Sequence, residues 1–293
     1  MVDALSVTDS APAPTFHVVV PASDEAGWID ACLRALALQE GAGPFAVTVA
    51  ANACRDDTAL RARSHAAALE RAGGRIAVIE TDRPGKLPAL NLADRAIEGA
   101  GGGAGPRLYL DADIAVEPAM LRELRAALAV PAPRYATGTI AVAPARTRTT
   151  RAYARMWRRT PFVRGGAVGA GLAAVNPAGR RRWGDFPEDI ISDDTFARLH
   201  FAPSERVEVP ARYHWPMVEG IGALVRVRRR QDVGVRQIAA RWPALMENEG
   251  KARWDRAALA RAALGDPGGF AVYGAVHLLT RLDRRDARWS RGR

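Results

Sequence analysis

Short apolar runs alternate with helical patterns along the first 130 residues of the chain. In one helical pattern, Ile29, Cys32, Leu33 and Leu36 are spaced as on one face of a helix. Regular alternation of strand and helix predicts parallel strands joined by right-handed crossovers, a doubly wound α/β fold with flanking helices. The predicted strands are 16–21, 44–50, 75–80 and 107–111, and the predicted helices are 25–39, 56–73, 86–99 and 117–129.

The second half of the chain has a less regular pattern, without an internal repeat or an obvious linker. It predicts a strand at 135–144, a basic helix at 149–163, a glycine loop at 165–171, a strand at 206–210 and helices from Met217 onward. We therefore predict three parts of the chain. They are a disordered leader at 1–15, a main domain at 16–230 that divides near residue 130, and a C-terminal helical extension at 231–293.

The formal net charge of +10 is typical of proteins that bind nucleic acid or an anionic membrane face. Only Lys86 and Lys251 are lysines, so 40 of the 42 cationic side chains are arginine. Arginine is then the default surface cation of this chain, and the charge alone does not indicate a specific nucleic-acid partner. The same bias makes Lys86 informative, because the chain uses lysine so rarely.

The cysteines and the N-terminal residues bear on the compartment. Cys32 and Cys54 give neither a disulfide framework nor a metal-binding spacing, which favours reduced thiols in the cytoplasm. The first fifteen residues lack the basic start and apolar centre of a signal peptide. Since no apolar run approaches the roughly 18 residues of a membrane span, we expect a cytoplasmic protein with at most peripheral contact to the membrane.

All four predicted strands of the first half end in polar residues, at the edge of the sheet where α/β proteins bind ligands. Asp111 ends the fourth predicted strand and Asp113 follows it, and residues two apart in an extended chain point to the same side. Two close carboxylates repel each other unless a cation lies between them, and Mg²⁺ and Mn²⁺ prefer such ligands. The pair therefore predicts a divalent metal site.

Three other residues at this edge have two interpretations each. Lys86 could meet a diphosphate, or it could be a solvated lysine at a helix start, where it opposes the helix dipole. Asn52 and Asp56 could contact a ligand, or they could serve turn geometry and helix capping, and both roles can coexist.

Asp193 and Asp194, after an irregular glycine-containing segment, could cap a helix or belong to a site assembled late in the chain. His214 could be a third metal ligand, although a structural or acceptor-side role is the preferred interpretation.

Taken in order, these stretches resemble family 2 glycosyltransferases of the GT-A fold. The stretches are "VVVPASDEAGWIDACLRALALQ", "VTVAANACRDDTA", "RPGKLPALN", "YLDAD", "VGAGLAAV" and "FPEDIISDD". The family pattern runs roughly I-P-x-x-N-E, D-N-x-S-x-D-x-T, G-K-x-x-A-L-N, D-x-D, a glycine loop and E-D. The resemblance covers residues 16–230, with a nucleotide-binding half at 16–130 and an acceptor half at 131–230. No single stretch is specific, but six in the right order are.

The resemblance implies a role for each matching residue. Asp194 would be the catalytic base, and Asp193 would belong to the nucleotide-sugar site with a supporting role in acceptor binding. Asp111 and Asp113 would hold Mn²⁺ or Mg²⁺, and Lys86 would lie near the diphosphate. The remaining nucleotide-sugar contacts would come from Pro21, Ala22, Asp24, Glu25, Asn52, Asp56, Gly169 and Gly171.

The sequence departs from the family pattern at two acidic residues and lacks one further motif. Asp24 stands where the family has Asn, and Asp193 stands where it has Glu. The Q-x-x-R-W motif of processive synthases does not occur after the predicted base, which argues against a polymerising synthase.

The function implied is an inverting transfer of a sugar from a nucleoside-diphosphate sugar, by family default a UDP-sugar, to an acceptor hydroxyl. A lipid-linked acceptor would suit the basic and apolar C-terminal segments. Two alternatives stay open at this point. One is a non-enzymatic basic protein that binds RNA or a membrane surface, and the other is a sugar nucleotidyltransferase.

Overall fold

A computed structural model describes residues 15–250 and 254–282. Its strands are β1 Phe16–Ala22, β2 Phe45–Asn52, β3 Gly74–Thr81, β4 Arg107–Leu110, β5 Ala115–Val116, β6 Tyr135–Val142, β7 Leu172–Val175 and β8 Arg206–Trp215. Its α-helices are α1 Ile29–Ala37, α2 Thr58–Ser64, α3 Ala66–Arg71, α4 Lys86–Gly99, α5 Met120–Leu128, α6 Arg148–Trp157, α7 Pro161–Arg164, α8 Pro177–Arg180, α9 Asp193–Leu199, α10 Ile221–Arg241, α11 Arg256–Gly265 and α12 Pro267–Leu282.

Eight strands within the described residues form one mixed sheet, in the order β3-β2-β1-β4-β7-β6-β8-β5. The first four strands are mutually parallel, as the alternating pattern predicted. β7 is antiparallel to both β4 and β6, whereas β6 and β8 run parallel to each other. Consequently β7 begins, and β8 ends, at the same edge of the sheet where β1 to β4 end.

Both faces of the sheet are covered by helices, because successive side chains of a strand point to opposite faces. Val18 and Val20 of β1 belong to a core with α1 and α5, whereas Val19 packs with α4 on the other face. This double cover explains why β1 and β2 are buried along their whole length. The predicted α/β class is thus confirmed.

Several element boundaries differ from prediction. The helix expected at 56–73 is divided at His65 into α2 and α3, and the basic helix expected at 149–163 ends at Trp157. Thr160 there accepts a hydrogen bond from Val163 N–H and starts the short helix α7, with Pro161 at its first position. The strand expected at 206–210 continues to Trp215, because β8 pairs with β6 along this length.

The C-terminal helices pack on α6. Tyr153 of α6 stacks on Tyr273 of α12 at a centroid distance of 5.2 Å, and Leu224 of α10 and Val276 of α12 complete the cluster. α10 continues without interruption through the predicted boundary at 230–231. Of the predicted leader, residues 1–14 lie outside the described residues.

Candidate active site

The parallel strands end at a large cleft of about 840 Å³. Each strand brings its own polar tail to this edge, and α4 starts here because it follows β3. Trp215 and Val218 line the other side, since β8 also ends at this edge. Nine residues predicted for the site line the cleft: Pro21, Ala22, Asp24, Glu25, Asn52, Lys86, Asp111, Asp113 and Asp193.

Lys86 joins the two halves of the site. Its Nζ lies 2.7 Å from Asp111 Oδ1 and 2.8 Å from Asp193 Oδ2. Burial acts to lower the pKa of Lys86, but the carboxylates of Asp111, Asp193 and Asp194 outweigh burial and raise the pKa above its ordinary value. Lys86 is therefore a firmly cationic group held between carboxylates and not a freely solvated lysine at a helix start.

Asp194 lines a small cavity together with Gly169 and Gly171. Lys86, Asp111 and Asp193 line both this cavity and the large cleft. Asp194 Oδ1 accepts a hydrogen bond from Thr195 N–H at 2.6 Å. Burial raises the pKa of Asp194, and the charge of Asp193 raises it further, while Lys86 and the Thr195 N–H act in the opposite direction. Asp193 and Asp194 occupy the first turn of α9, where carboxylates interact favourably with the helix dipole, but Ser192 is the N-cap and no described side chain caps this helix.

The glycine loop reaches the site because β7 begins beside the end of β4, and Asp111 N–H donates to Gly171 O at 2.9 Å. Gly171 has φ +69°, and a Cβ there would lie 2.8 Å from Asp111 Oδ2. Gly169 has φ +67°, and its Cβ would lie 1.7 Å from Tyr135 Oη. Both positions therefore require glycine for backbone conformation and for close approach.

Asn52 is buried, and its amide connects two backbone segments of the cleft wall. Its Nδ2 donates to Ala22 O at 2.9 Å, and its Oδ1 accepts from Gly85 N–H at 3.1 Å. The residue thereby fixes the end of β1 relative to the turn that precedes Lys86. A direct contact of Asn52 with a base stays a prediction, since the described interactions of its amide are structural.

Asp56 lines neither cavity. Its carboxylate accepts hydrogen bonds from Ala26 N–H and Thr58 N–H, both at 3.1 Å, and so ties the loop after β1 to the start of α2. Asp24, at φ +51°, accepts from Arg55 N–H at 2.6 Å on the other side of the same junction. Asp24, Cys54 and Asp56 lie close enough to share a cation, but both carboxylates already bind backbone N–H groups.

The lining of the cleft is strongly acidic, although the whole chain is basic. The lining contains seven carboxylates and two cationic side chains, Lys86 and Arg230. The carboxylates are Asp24, Glu25, Asp111, Asp113, Glu188, Asp189 and Asp193. Two of the carboxylates are paired with arginines outside the lining, Glu188 with Arg83 and Asp189 with Arg241. An anionic ligand would be repelled by such a lining unless a cation entered with it.

Asp111 and Asp113 fit a divalent cation. Both line the cleft, and both offer the hard oxygen ligands that such a cation prefers. His214 is exposed on β8 in register with Ala115, two residues beyond Asp113, but it does not line the cleft.

Several cleft residues were not predicted. Glu188 and Asp189 stand in the quoted stretch "FPEDIISDD", where two neighbouring acids were an available signal. Trp28 and Trp215 contribute aromatic walls, and Gln237 Oε1 accepts from Ile191 N–H at 3.0 Å. These three come from a helix start, a strand end and a distant helix, which only the tertiary fold brings together.

A parallel α/β half joined to a half with both parallel and antiparallel strands, with a D-x-D pair at the strand edge, defines a nucleotide-sugar-dependent transferase of the GT-A class. The family model described as "Glycosyl transferase family 2" matches residues 17–183, more than half of the chain. The chain belongs to this family and is a glycosyltransferase. This assignment decides against the non-enzymatic binding protein and the sugar nucleotidyltransferase as alternatives.

Two solved structures show the same fold. The mannosyltransferase PcManGT from Pyrobaculum calidifontis, in complex with GDP-Man and Mn²⁺, is 20% identical, with a TM-score of 0.58 over 95% of this chain and 79% of that one. TarS 1–349 from S. aureus, in complex with UDP-GlcNAc, is 14% identical, with a TM-score of 0.51 over 94% and 95%. The comparison with curated protein sequences returned no match.

Proposed function

We propose that the protein transfers a sugar from a nucleoside-diphosphate sugar to an acceptor hydroxyl, with inversion at the anomeric carbon. The observation that carries the proposal is the contact of Lys86 with both Asp111 and Asp193. It joins the D-x-D end of β4 on the donor side to the start of α9, which would supply the base. The cleft and the small cavity that shares Lys86, Asp111 and Asp193 with it could then hold the leaving group and the base on opposite sides of the reacting carbon.

The donor would lie with its diphosphate at Asp111 and Asp113. The acidic lining supports this arrangement only together with a divalent cation, Mn²⁺ or Mg²⁺, held by these two carboxylates. When bound, the cation would neutralise the negative charge that develops on the leaving diphosphate. Lys86 and Arg230, the two cationic side chains of the cleft lining, would add to this stabilisation. The two structural neighbours hold GDP-Man and UDP-GlcNAc, so both UDP- and GDP-sugars are candidate donors.

Asp194 would take the proton of the acceptor hydroxyl at a carboxylate oxygen. A weak nucleophile needs such a base, and a carboxylate with a raised pKa is a stronger base than an ordinary one. Asp193 is less suited, because its Oδ2 is paired with Lys86 at 2.8 Å. The Thr195 N–H bond to Asp194 Oδ1 would hold the side chain in one orientation. Asp193 would then keep Lys86 in place and contribute to acceptor binding.

Turnover of a panel of UDP- and GDP-sugars, with simple sugar and alcohol acceptors, tests the reaction. We expect release of nucleoside diphosphate that depends on the acceptor, and a product whose anomeric proton coupling in NMR is that of the inverted configuration. One displacement by one base gives inversion. A product that keeps the configuration of the donor would contradict the single displacement, and no release with any donor would contradict the proposed chemistry.

A further inference from the structure

The exposed hydrophobic side chains of the protein are concentrated at one end of the chain. Nine large hydrophobic side chains are exposed in residues 15–250 and 254–282, and five of them belong to α11 and α12. These five are leucines with exposed fractions of 38–82%: Leu259, Leu264, Leu278, Leu279 and Leu282. Scattered exposed leucines need no explanation, but five in two consecutive helices indicate an interaction surface.

The solvent face of α12 carries no charge over most of its length. Leu278 and Leu282 are four residues apart and therefore lie on one side of the helix. Ala271, Gly274 and Ala275 continue the same side toward the N-terminus, and the first charged side chain within α12 is Arg281. The opposite side, with Val276 and Tyr273, packs on α6 and α10. α12 is thus apolar on its outer face as well as on its inner face.

A row of arginines on α6 flanks this apolar face. Arg148, Arg151 and Arg155 are exposed and recur every three or four residues, so they share one side of α6. Arg159, also exposed, follows four residues later, just beyond the end of the helix. Arg155 Nε binds Asp266 Oδ2 at 2.9 Å, just before α12 begins, and Arg159 lies against Gly265, next to Leu264. We call these arginines together with the five leucines the leucine–arginine surface.

The acids of this region do not cancel the positive charge. Residues 254–282 contain two carboxylates, Asp255 and Asp266, of which Asp266 is paired with Arg155. The same stretch contains three arginines, Arg256, Arg261 and Arg281. The nearby arginines at 226–230 do not belong to this surface as a group. Arg228 pairs with Asp232, and Arg230 lines the cleft.

We propose that the leucine–arginine surface binds the face of an anionic lipid bilayer. Leucines that enter the headgroup boundary beside arginines that meet anionic headgroups are the two components of interfacial binding. A second copy of the chain fits less well, because a twofold contact through this surface would bring the arginine rows of both copies together. No described helix is both long and apolar enough to cross a bilayer, so the contact would be with the membrane surface.

This surface is connected to the active-site cleft. Val218 lines the cleft and also packs against the cluster of Tyr153, Leu224 and Val276 that supports α12. The wall of the cleft and the support of α12 therefore share one packed cluster. The binding itself is independent of the transfer chemistry and is tested without any substrate.

Flotation with vesicles tests the proposal. Phosphatidylcholine vesicles with and without an equal share of phosphatidylglycerol are the probes, and the matched variants are Leu264→Glu/Leu278→Glu/Leu282→Glu and Leu38→Glu/Leu60→Glu. Leu38 and Leu60 are equally exposed leucines in the nucleotide half. We expect the wild type and the Leu38/Leu60 variant to float with anionic vesicles at low salt. The triple variant should lose at least about a hundredfold in partitioning, because charged side chains do not enter the boundary.

Substitution of the arginines tests the electrostatic part of the proposal independently of the leucines. Arg148→Gln/Arg159→Gln should lower binding to anionic vesicles by roughly fivefold per arginine and leave the weak binding to neutral vesicles unchanged. Wild-type protein that fails to float at low salt, or a triple variant that floats as well as the wild type, would overturn the proposal. A concentration-dependent dimer that the triple variant abolishes, without vesicle binding, would assign the surface to self-association and also overturn it.

Discussion

Asp194→Asn is expected to lower the rate of sugar transfer by about 10²–10⁴-fold and to leave the affinity for the nucleoside diphosphate nearly unchanged. The substitution keeps the size of the side chain and removes its basicity. Nucleotide affinity should survive because Asp194 lies behind the cleft, in the small cavity with Gly169 and Gly171, and does not line the cleft itself. Turnover with a working acceptor and calorimetry with the nucleotide measure the two effects separately.

Asp193→Asn is the matched control for this experiment. Asp193→Asn should lower the rate of transfer by less than Asp194→Asn does. It should also leave Lys86 less firmly positioned, since Asp193 Oδ2 is one of the two carboxylate partners of Lys86. If Asp193→Asn is inactive while Asp194→Asn is near normal, the base is the earlier residue of the pair. If both variants stay active, the two carboxylates serve only the first turn of α9.

The pH dependence of turnover follows from the direction of the Asp194 pKa. A base must be deprotonated, so kcat/KM should rise with pH as Asp194 loses its proton. Because burial and Asp193 raise the pKa of Asp194, the midpoint of this rise should lie above that of an ordinary aspartate. In the Asp194→Asn variant, this limb of the profile should be absent.

Asp94→Ala is expected to destabilise the fold by about 3–5 kcal/mol, the usual cost of removing one partner of a buried ion pair. Asp94 on α4 is 1% exposed. It binds Arg107 of β4, Tyr109 Oη at 2.7 Å and Arg180 Nη2 at 3.1 Å. Without it, the buried Arg107 keeps its charge among apolar neighbours. Urea unfolding of the variant and the wild type measures the difference in free energy.

Asp57→Ala provides the comparison. Asp57 also pairs with an arginine, Arg61, at 2.9 Å, but half of its side chain is exposed and the pair is one turn apart on α2. Such surface pairs contribute about 0.3–0.5 kcal/mol. Equal, small effects of Asp57→Ala and Asp94→Ala would contradict the account of Asp94 as the residue that ties α4 to β4.

The first half of the fold was predictable because its signals are local. Buried strands such as β1 and β2 are continuous apolar runs, and α1 shows its buried face as a periodic spacing. The second half of the fold was less predictable, because its strands are defined by pairing with strands that are distant in the sequence. The two-residue strand β5 exists only through its pairing with Tyr213 and His214, and β8 extends past the predicted end because β6 lies beside it.

The candidate site divides in the same way. Asp111 and Lys86 could be identified as site residues because strand ends and a rare lysine are features of the sequence itself. The contact of Lys86 with both Asp111 and Asp193 could not be predicted, since it requires α9 to lie at the edge of the sheet where α4 begins. Asp56 was assigned to the ligand by its motif, but the described contacts of its carboxylate connect two loops outside the cleft.

Calorimetric and thermal titration of the protein with UDP and GDP, in Mn²⁺ and in EDTA, shows whether Asp111 and Asp113 bind the donor through a metal ion. The acidic lining predicts that nucleoside diphosphate stabilises the fold by roughly 1–3 kcal/mol more with the metal than without it at saturating ligand. Asp113→Ala should remove the share that the metal contributes, while Asp57→Ala should retain it. Equal stabilisation in Mn²⁺ and in EDTA, or an undiminished metal effect in Asp113→Ala, would contradict a donor site built on Asp111 and Asp113.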